Sequence, residues 1–130
     1  MSTIFSKIID GSIPAYKIAE DDNFLAFLDV FPLREGHTLV IPKQEVDYIF
    51  DLDDDTYQKL WLFSKKVAHA IGKAIPCTKV GTAVVGLEVA HAHIHLIPMN
   101  AVSDMDFSQP KAKFSPEQFE SAAAKIKAQL

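Results

Sequence analysis

Histidine occupies positions 91, 93 and 95 in the stretch GLEVAHAHIHLIPMN (residues 86–100), three of the five histidines in a chain of 130 residues. On a β-strand alternate side chains share a face, so His91, His93, His95 and Ile97 are expected to point one way and Ala92, Ile94 and Leu96 the other. Imidazoles roughly 6.5 to 7 Å apart along one strand make a poor core surface, because each neutral ring brings a donor and an acceptor that must be paired. A lone histidine in an apolar strand is more often structural; three in register point to chemistry. A His-x-His strand pair is a common start for a zinc or iron site, whereas a phosphate-handling site would use imidazoles as donors and as a nucleophile. No Cys-x-x-Cys or Glu-x-x-His accompanies the strand, and three histidines in a straight row splay too widely to ligate one tetrahedral ion together. Both chemistries stay open, with the phosphate site favoured.

Such a strand needs neighbours and a helix to pack on. IFSKIIDG begins with a short helical pattern stopped by Gly11 and Pro14, and AYKIAED reads as a strand followed by an Asp21-Asp22-Asn23 turn. FLAFLDV and HTLVIPK, separated by a loop with Pro32 and Gly36, look like antiparallel neighbours and the start of a meander. From Asp53 to Ile75 the apolar positions Leu60, Trp61, Phe63, Val67, Ala70 and Ile71 recur at helical spacing behind three aspartates, and Pro76 ends the helix. KVGTAVVG and EVAHAHIHLIP then predict two more strands. Ser115 three residues ahead of Gln118, with Pro116 between, launches a C-terminal helix. NAVSDMDFSQPKAKF is the least regular stretch and is expected to cover the surface.

The length predicts a single domain over 1–130. An apolar fraction of 48% with 23% charged residues is that of an ordinary globular chain. The formal charge of −4 gives no general attraction to nucleic acid or to anionic lipid, so an anionic ligand has to be held locally. One cysteine, Cys77, excludes an intrachain disulfide and a thiolate-rich zinc site. Lys7, Asp10 and Pro14 interrupt the N-terminal apolar residues before a signal core or membrane span forms, which makes the cytoplasm the default expectation.

HAHIHLI resembles the His-x-His-x-His motif of the histidine triad (HIT) superfamily of nucleotide hydrolases and transferases. IFSKIIDGSIPAYKIAEDDNFLAFLDVFPLREGHTLVIPK is similar to that family's N-terminal half, with the Ile-Pro turn, the acidic turn, the Phe-Leu-Asp strand and the Gly-His-Thr-Leu-Val-Ile-Pro strand in order. The likeness covers residues 4–98. It implies an α+β fold of the HIT-like kind, a five-stranded antiparallel meander with one long helix and a C-terminal helix, paired as a homodimer. It implies attack at the α-phosphate of a small nucleotide substrate by the central histidine, here His93, through a nucleotidyl-imidazole that water resolves to a nucleoside monophosphate. A neutral imidazole whose second nitrogen donates to a carbonyl needs no separate base. His95 then donates to phosphate oxygens, and His91 and His37 look like supporting histidines. Asp29 would bind ribose hydroxyls, and Phe27 and Val30 would border the base. No cofactor and no metal are implied.

The chain departs from the family pattern in several places. Many members carry a glutamine four residues and a serine or threonine three residues before the first histidine; here these are Leu87 and Glu88. Leucine offers no hydrogen bond, and a carboxylate repels an anionic substrate unless it is protonated or serves as an acid or a cation's partner, so Glu88 is a substrate-facing residue of altered function. IFSKI stands where some branches have a cysteine pair, and Gln44 and Glu45 stand where those branches have a further histidine, so their structural zinc is not expected. Three functions compete: hydrolysis of a phosphoramidate, dinucleoside polyphosphate or similar nucleotidyl compound; nucleotide or partner binding with little catalysis; and metal-dependent hydrolysis on His91, His93 and His95.

Overall fold

A computed structural model describes residues 3–130. Thr3 caps the short helix α1 (Ile4–Ile9), its hydroxyl accepting the Ser6 N–H, which satisfies a donor that the first helical turn leaves free. Three strands follow: β1 (Lys17–Glu20), β2 (Phe24–Leu28) and β3 (Thr38–Pro42). The Asp21 carboxylate accepts from the amides of Asn23 and Phe24 and forms the tight turn between β1 and β2. The long helix α2 (Asp54–Ala74) starts on Asp53, which accepts the Thr56 N–H, and stops where Ile75 takes an extended conformation ahead of Pro76. β4 (Lys79–Ala83) and β5 (Ile94–Met99) complete one sheet, and α3 (Pro116–Lys127) opens with a reciprocal Ser115–Gln118 capping box. Single 3-10 turns lie at Ile49–Asp51 and Val102–Met105. Among the described residues, no helix is long and apolar enough to cross a membrane.

The sheet is antiparallel throughout, in the order β1-β2-β3-β5-β4. It is a meander only as far as β3. Helix α2, about 30 Å long from its rise per residue, carries the chain across the sheet to the far edge, and the final hairpin brings β5 back against β3. The histidine-bearing strand is therefore the second from the edge, with an exposed Lys79 on the outer strand guarding that edge.

Side-chain alternation sorts the core into two layers. Phe24, Ala26, Leu28, Val40, Ile94 and Leu96 face α2 and α3, where they meet Leu60, Val67, Ala70, Ile71 and Ile126. Leu25, Phe27, Leu39 and Ile41 face the other way and meet Phe5 and Ile8 of α1. His95 pairs with Leu39 across the β3–β5 ladder, so it lies on the α1 side.

One expectation needs correction. The predicted strand over EVAHAHIHLIP begins only at Ile94, so His91 and His93 precede it. The β3–β5 register would place Pro42 opposite Ala92, and proline has no N–H for a ladder. The Pro42 carbonyl takes a hydrogen bond from the His91 ring, and the Ala92 N–H goes to the Val46 carbonyl at 2.7 Å.

Gly36 precedes His37 with φ +86°, and a Cβ there would stand 3.0 Å from Cγ1 of Ile75 and 3.2 Å from Cγ of Pro98. Left-handed backbone and close approach together demand glycine. Gly36→Ala is expected to lower unfolding free energy by about 1–3 kcal/mol, read from urea denaturation. An unchanged midpoint would refute that demand.

Candidate active site

Burial forces every imidazole in this cluster to find partners, and the partners decide where the protons sit. His91, fully buried, donates from Nε2 to the Pro42 carbonyl at 2.8 Å, so its Nδ1 accepts from the Thr3 hydroxyl at 3.1 Å. Nδ1 of His93 lies 2.7 Å from the His91 carbonyl and donates to it. The Nε2 lone pair of His93 is then unprotonated in the neutral ring.

A second chain of hydrogen bonds sets the other pair. The Leu33 N–H donates to Nδ1 of His37 at 3.0 Å. His37 must therefore carry its proton on Nε2, which donates to Nδ1 of His95 at 2.9 Å. His95 is left with a proton on Nε2. Burial pushes His37 down to about 4, assisted by the charge of Lys111. Burial pushes His95 down to about 3, with the charges of His37 and His93 acting the same way. Both rings are neutral at neutral pH, so His95 donates without a formal charge. His91 is also lowered, chiefly by burial.

These groups open onto a cleft of about 470 Å³ between α1, the loop before the histidines and the segment after β5, lined in part by Asp29, His37, His93 and His95. Asp29 accepts the Phe31 N–H on Oδ1 and holds Oδ2 at 3.6 Å from Nε2 of His37. Phe27 is buried and forms apolar floor, whereas Val30 is half exposed on the rim. Leu87 and Glu88 also line the cleft, both exposed. Of the residues singled out in the sequence, His91 alone does not border the cleft; it stands behind His93 as a support.

Aromatic edges fix the rings further. Phe5 meets His93 edge-on with centroids 5.1 Å apart, and Phe107 meets His95 at 4.8 Å. Beyond the residues read from the sequence, the site neighbourhood holds Phe107, Lys111 and the link from Thr3 through Ser6 to Glu45. Ser6 donates to the Glu45 carboxylate, which ties α1 to the segment after β3. Thr3 three residues ahead of Ser6 is a capping pattern that signals the start of α1; nothing in the irregular segment 100–114 marks Phe107 or Lys111 as cleft residues.

The three motif histidines do not gather round one point. Among the described residues, the one group of three potential ligands within mutual reach is Asp29, His37 and His95, with ligand atoms within 4.8 Å of one another. There the two facing imidazole nitrogens already share a proton. Of the three competing functions, metal-dependent hydrolysis on His91, His93 and His95 therefore finds no matching ligand group among the described residues.

Because the folded-state values of His37 and His95 lie below the ordinary 6.5, the unfolded chain binds more protons than the folded one as pH drops. The contribution of these rings to stability is complete above pH 6.5 and is lost as pH falls toward 4 and 3. Urea midpoints should hold level from pH 8 to 7 and decline below 6.5, with a shallower decline from pH 6.5 to 5 in His95→Asn. A midpoint that rises on acidification would mean that the buried rings are charged.

The description of the HIT domain matches residues 10–102. The chain is 34% identical over 132 residues to adenosine 5′-monophosphoramidase hnt1 of Schizosaccharomyces pombe, covering 100% of this chain and 99% of that relative. It is 36% identical over 106 residues to Protein hit of Bacillus subtilis, covering 78% and 73% respectively. Among solved structures, a Hit-like protein from Bartonella henselae superposes with a TM-score of 0.85 at 31% identity, covering 99% of this chain and 97% of that one. The likeness runs through the sheet and the histidine cluster alike, and the chain belongs to the HIT family.

Proposed function

We propose that the protein is a nucleotide hydrolase or nucleotidyl transferase that works at the α-phosphate through a covalent intermediate on His93. The observation that carries this reading is the hydrogen bond from Nδ1 of His93 to the His91 carbonyl, in a ring that borders the cleft. It leaves Nε2 as a lone pair, and the carbonyl steadies the positive charge that the ring gains on attack. Nε2 bonds to phosphorus; the bond from phosphorus to the leaving group breaks, and its electron pair departs with that group, which takes up a proton from solvent that the later attack of water returns. Water then attacks phosphorus, the P–N bond breaks, and a nucleoside monophosphate leaves with His93 restored. The Nε2–H of His95 is placed by its relay to donate to a phosphate oxygen on which negative charge grows.

Asp29 keeps one carboxylate oxygen free at the cleft and is the proposed acceptor for ribose hydroxyls, with Phe27 and Val30 beside the base. Glu88 accepts hydrogen bonds but donates none when ionised. That favours a leaving group with an N–H, an amine released from a phosphoramidate, over a second phosphate. The name of the S. pombe relative, an adenosine 5′-monophosphoramidase, supports the same substrate class.

His93→Asn should cut turnover of an adenosine phosphoramidate by about 10³-fold or more while adenosine monophosphate still binds. Rapid quench of the wild type with a 32P-labelled substrate should trap label on protein, and the variant should trap none. Nucleotide binding by wild-type protein with neither turnover nor trapped label would replace this reading with that of a binding protein, consistent with Leu87 and Glu88 in the cleft wall.

A homodimer is also proposed. Tyr48, Phe50 and Leu62 are more than half exposed, and Tyr48, Phe50, Tyr57 and Trp61 run on as edge and tilted contacts across one surface, an apolar patch that pairing would cover. Light scattering should give twice the chain mass, and Phe50→Glu should reduce it to one; a monomeric wild type would refute the pairing.

A further inference from the structure

The irregular segment after β5 supplies a wall of the cleft, and it is fastened there. The Ala112 N–H donates to the Pro32 carbonyl at 2.8 Å, Gln109 donates from its side chain to the Ser103 carbonyl at 3.0 Å, and Phe107 stands edge-on to His95. Between these ties Lys111 lines the cleft. Its Nζ donates to the Phe107 carbonyl at 2.6 Å and lies 5.9 Å from the centre of that ring. Lysine has three N–H donors and one is spent here. Lys111 forms no ion pair among the described residues, and its neighbour Asp106 is occupied by the amide and hydroxyl of Ser108.

Charge gives this position its meaning. The cleft lining carries two carboxylates, Asp29 and Glu88, against one lysine and no arginine among the described residues. The whole chain is acidic at −4, and His37 and His95 stay neutral. Among the described residues of the lining, an arriving phosphate thus meets a single fixed positive charge. A hydrogen bond from a charged donor is about twice as strong as a neutral one, so this one group outweighs its neighbours in holding an anion.

We propose that Lys111 is a substrate-binding residue that grips the non-bridging oxygens of the α-phosphate beside the Nε2–H of His95, and that it gives this site its preference for phosphorylated nucleosides over nucleosides. The assignment rests on the nucleotide reading above. In it the segment 106–112 supplies the charged donor that the wall bearing Leu87 and Glu88 does not.

Calorimetric titration of adenosine 5′-monophosphate and of adenosine into wild type, Lys111→Met and Lys111→Arg tests it. The wild type should bind the monophosphate more tightly than the nucleoside. Lys111→Met should weaken the monophosphate on the order of tenfold to a hundredfold, leave adenosine within about twofold, and keep the wild-type urea midpoint; Lys111→Arg should recover most of the loss. Equal weakening of both ligands, or no weakening of the monophosphate, would overturn the role of Lys111 while leaving the nucleotide reading in place. A wild type that binds neither ligand would overturn both.

Discussion

Each buried imidazole here has at least one ring nitrogen paired, and that pairing decides what the other nitrogen can do; much of this structure follows from it. The Leu33 amide determines the proton on His37, and His37 determines the proton on His95. The Pro42 carbonyl orders His91, whose own carbonyl then orders His93. No acid or base is needed to choose these tautomers. Backbone groups choose them, and backbone groups are held by the fold.

That makes the sheet part of the chemistry. Alternation sends Ile94 and Leu96 into the layer against α2 and α3 and leaves His95 on the opposite side, beside Leu39. A shift of one residue in the β3–β5 register would exchange the two sets and bury an imidazole against Leu60 and Ile71. Pro42 then ends the ladder at the point where side-chain hydrogen bonds take over. Regular pairing gives position, and its interruption gives donors and acceptors to the histidines.

The elements with strong local signals were legible from the residues alone. Spacing and caps identified α2 and α3, and the Pro and Gly breaks located the strands, because those signals act within a few residues. The resemblance of HAHIHLI and GHTLVIP supplied the family. The start of β5 was misplaced, since it depends on which residue lies across from Pro42, a matter of register between segments fifty residues apart. The order of the last two strands was hidden for the same reason. In the site, His93 and His95 stand out by residue type and spacing, whereas His37 and Asp29 come from the resemblance. Phe107 and Lys111 carry no such signal, because an irregular segment shows no period and its course depends on one distant contact, Ala112 to Pro32.

The cleft walls differ in kind from its floor. His93 and His95 enter from the sheet and its immediate approach, while Leu87, Glu88, Phe107 and Lys111 come from two segments that contribute no strand. Changes in those segments that keep the Phe107 edge against His95 leave the β3–β5 register and the imidazole relay in place. Descent with modification can therefore act on what the cleft admits at little risk to the imidazole relay beneath it, so that lineages sharing one such floor are free to diverge in diet.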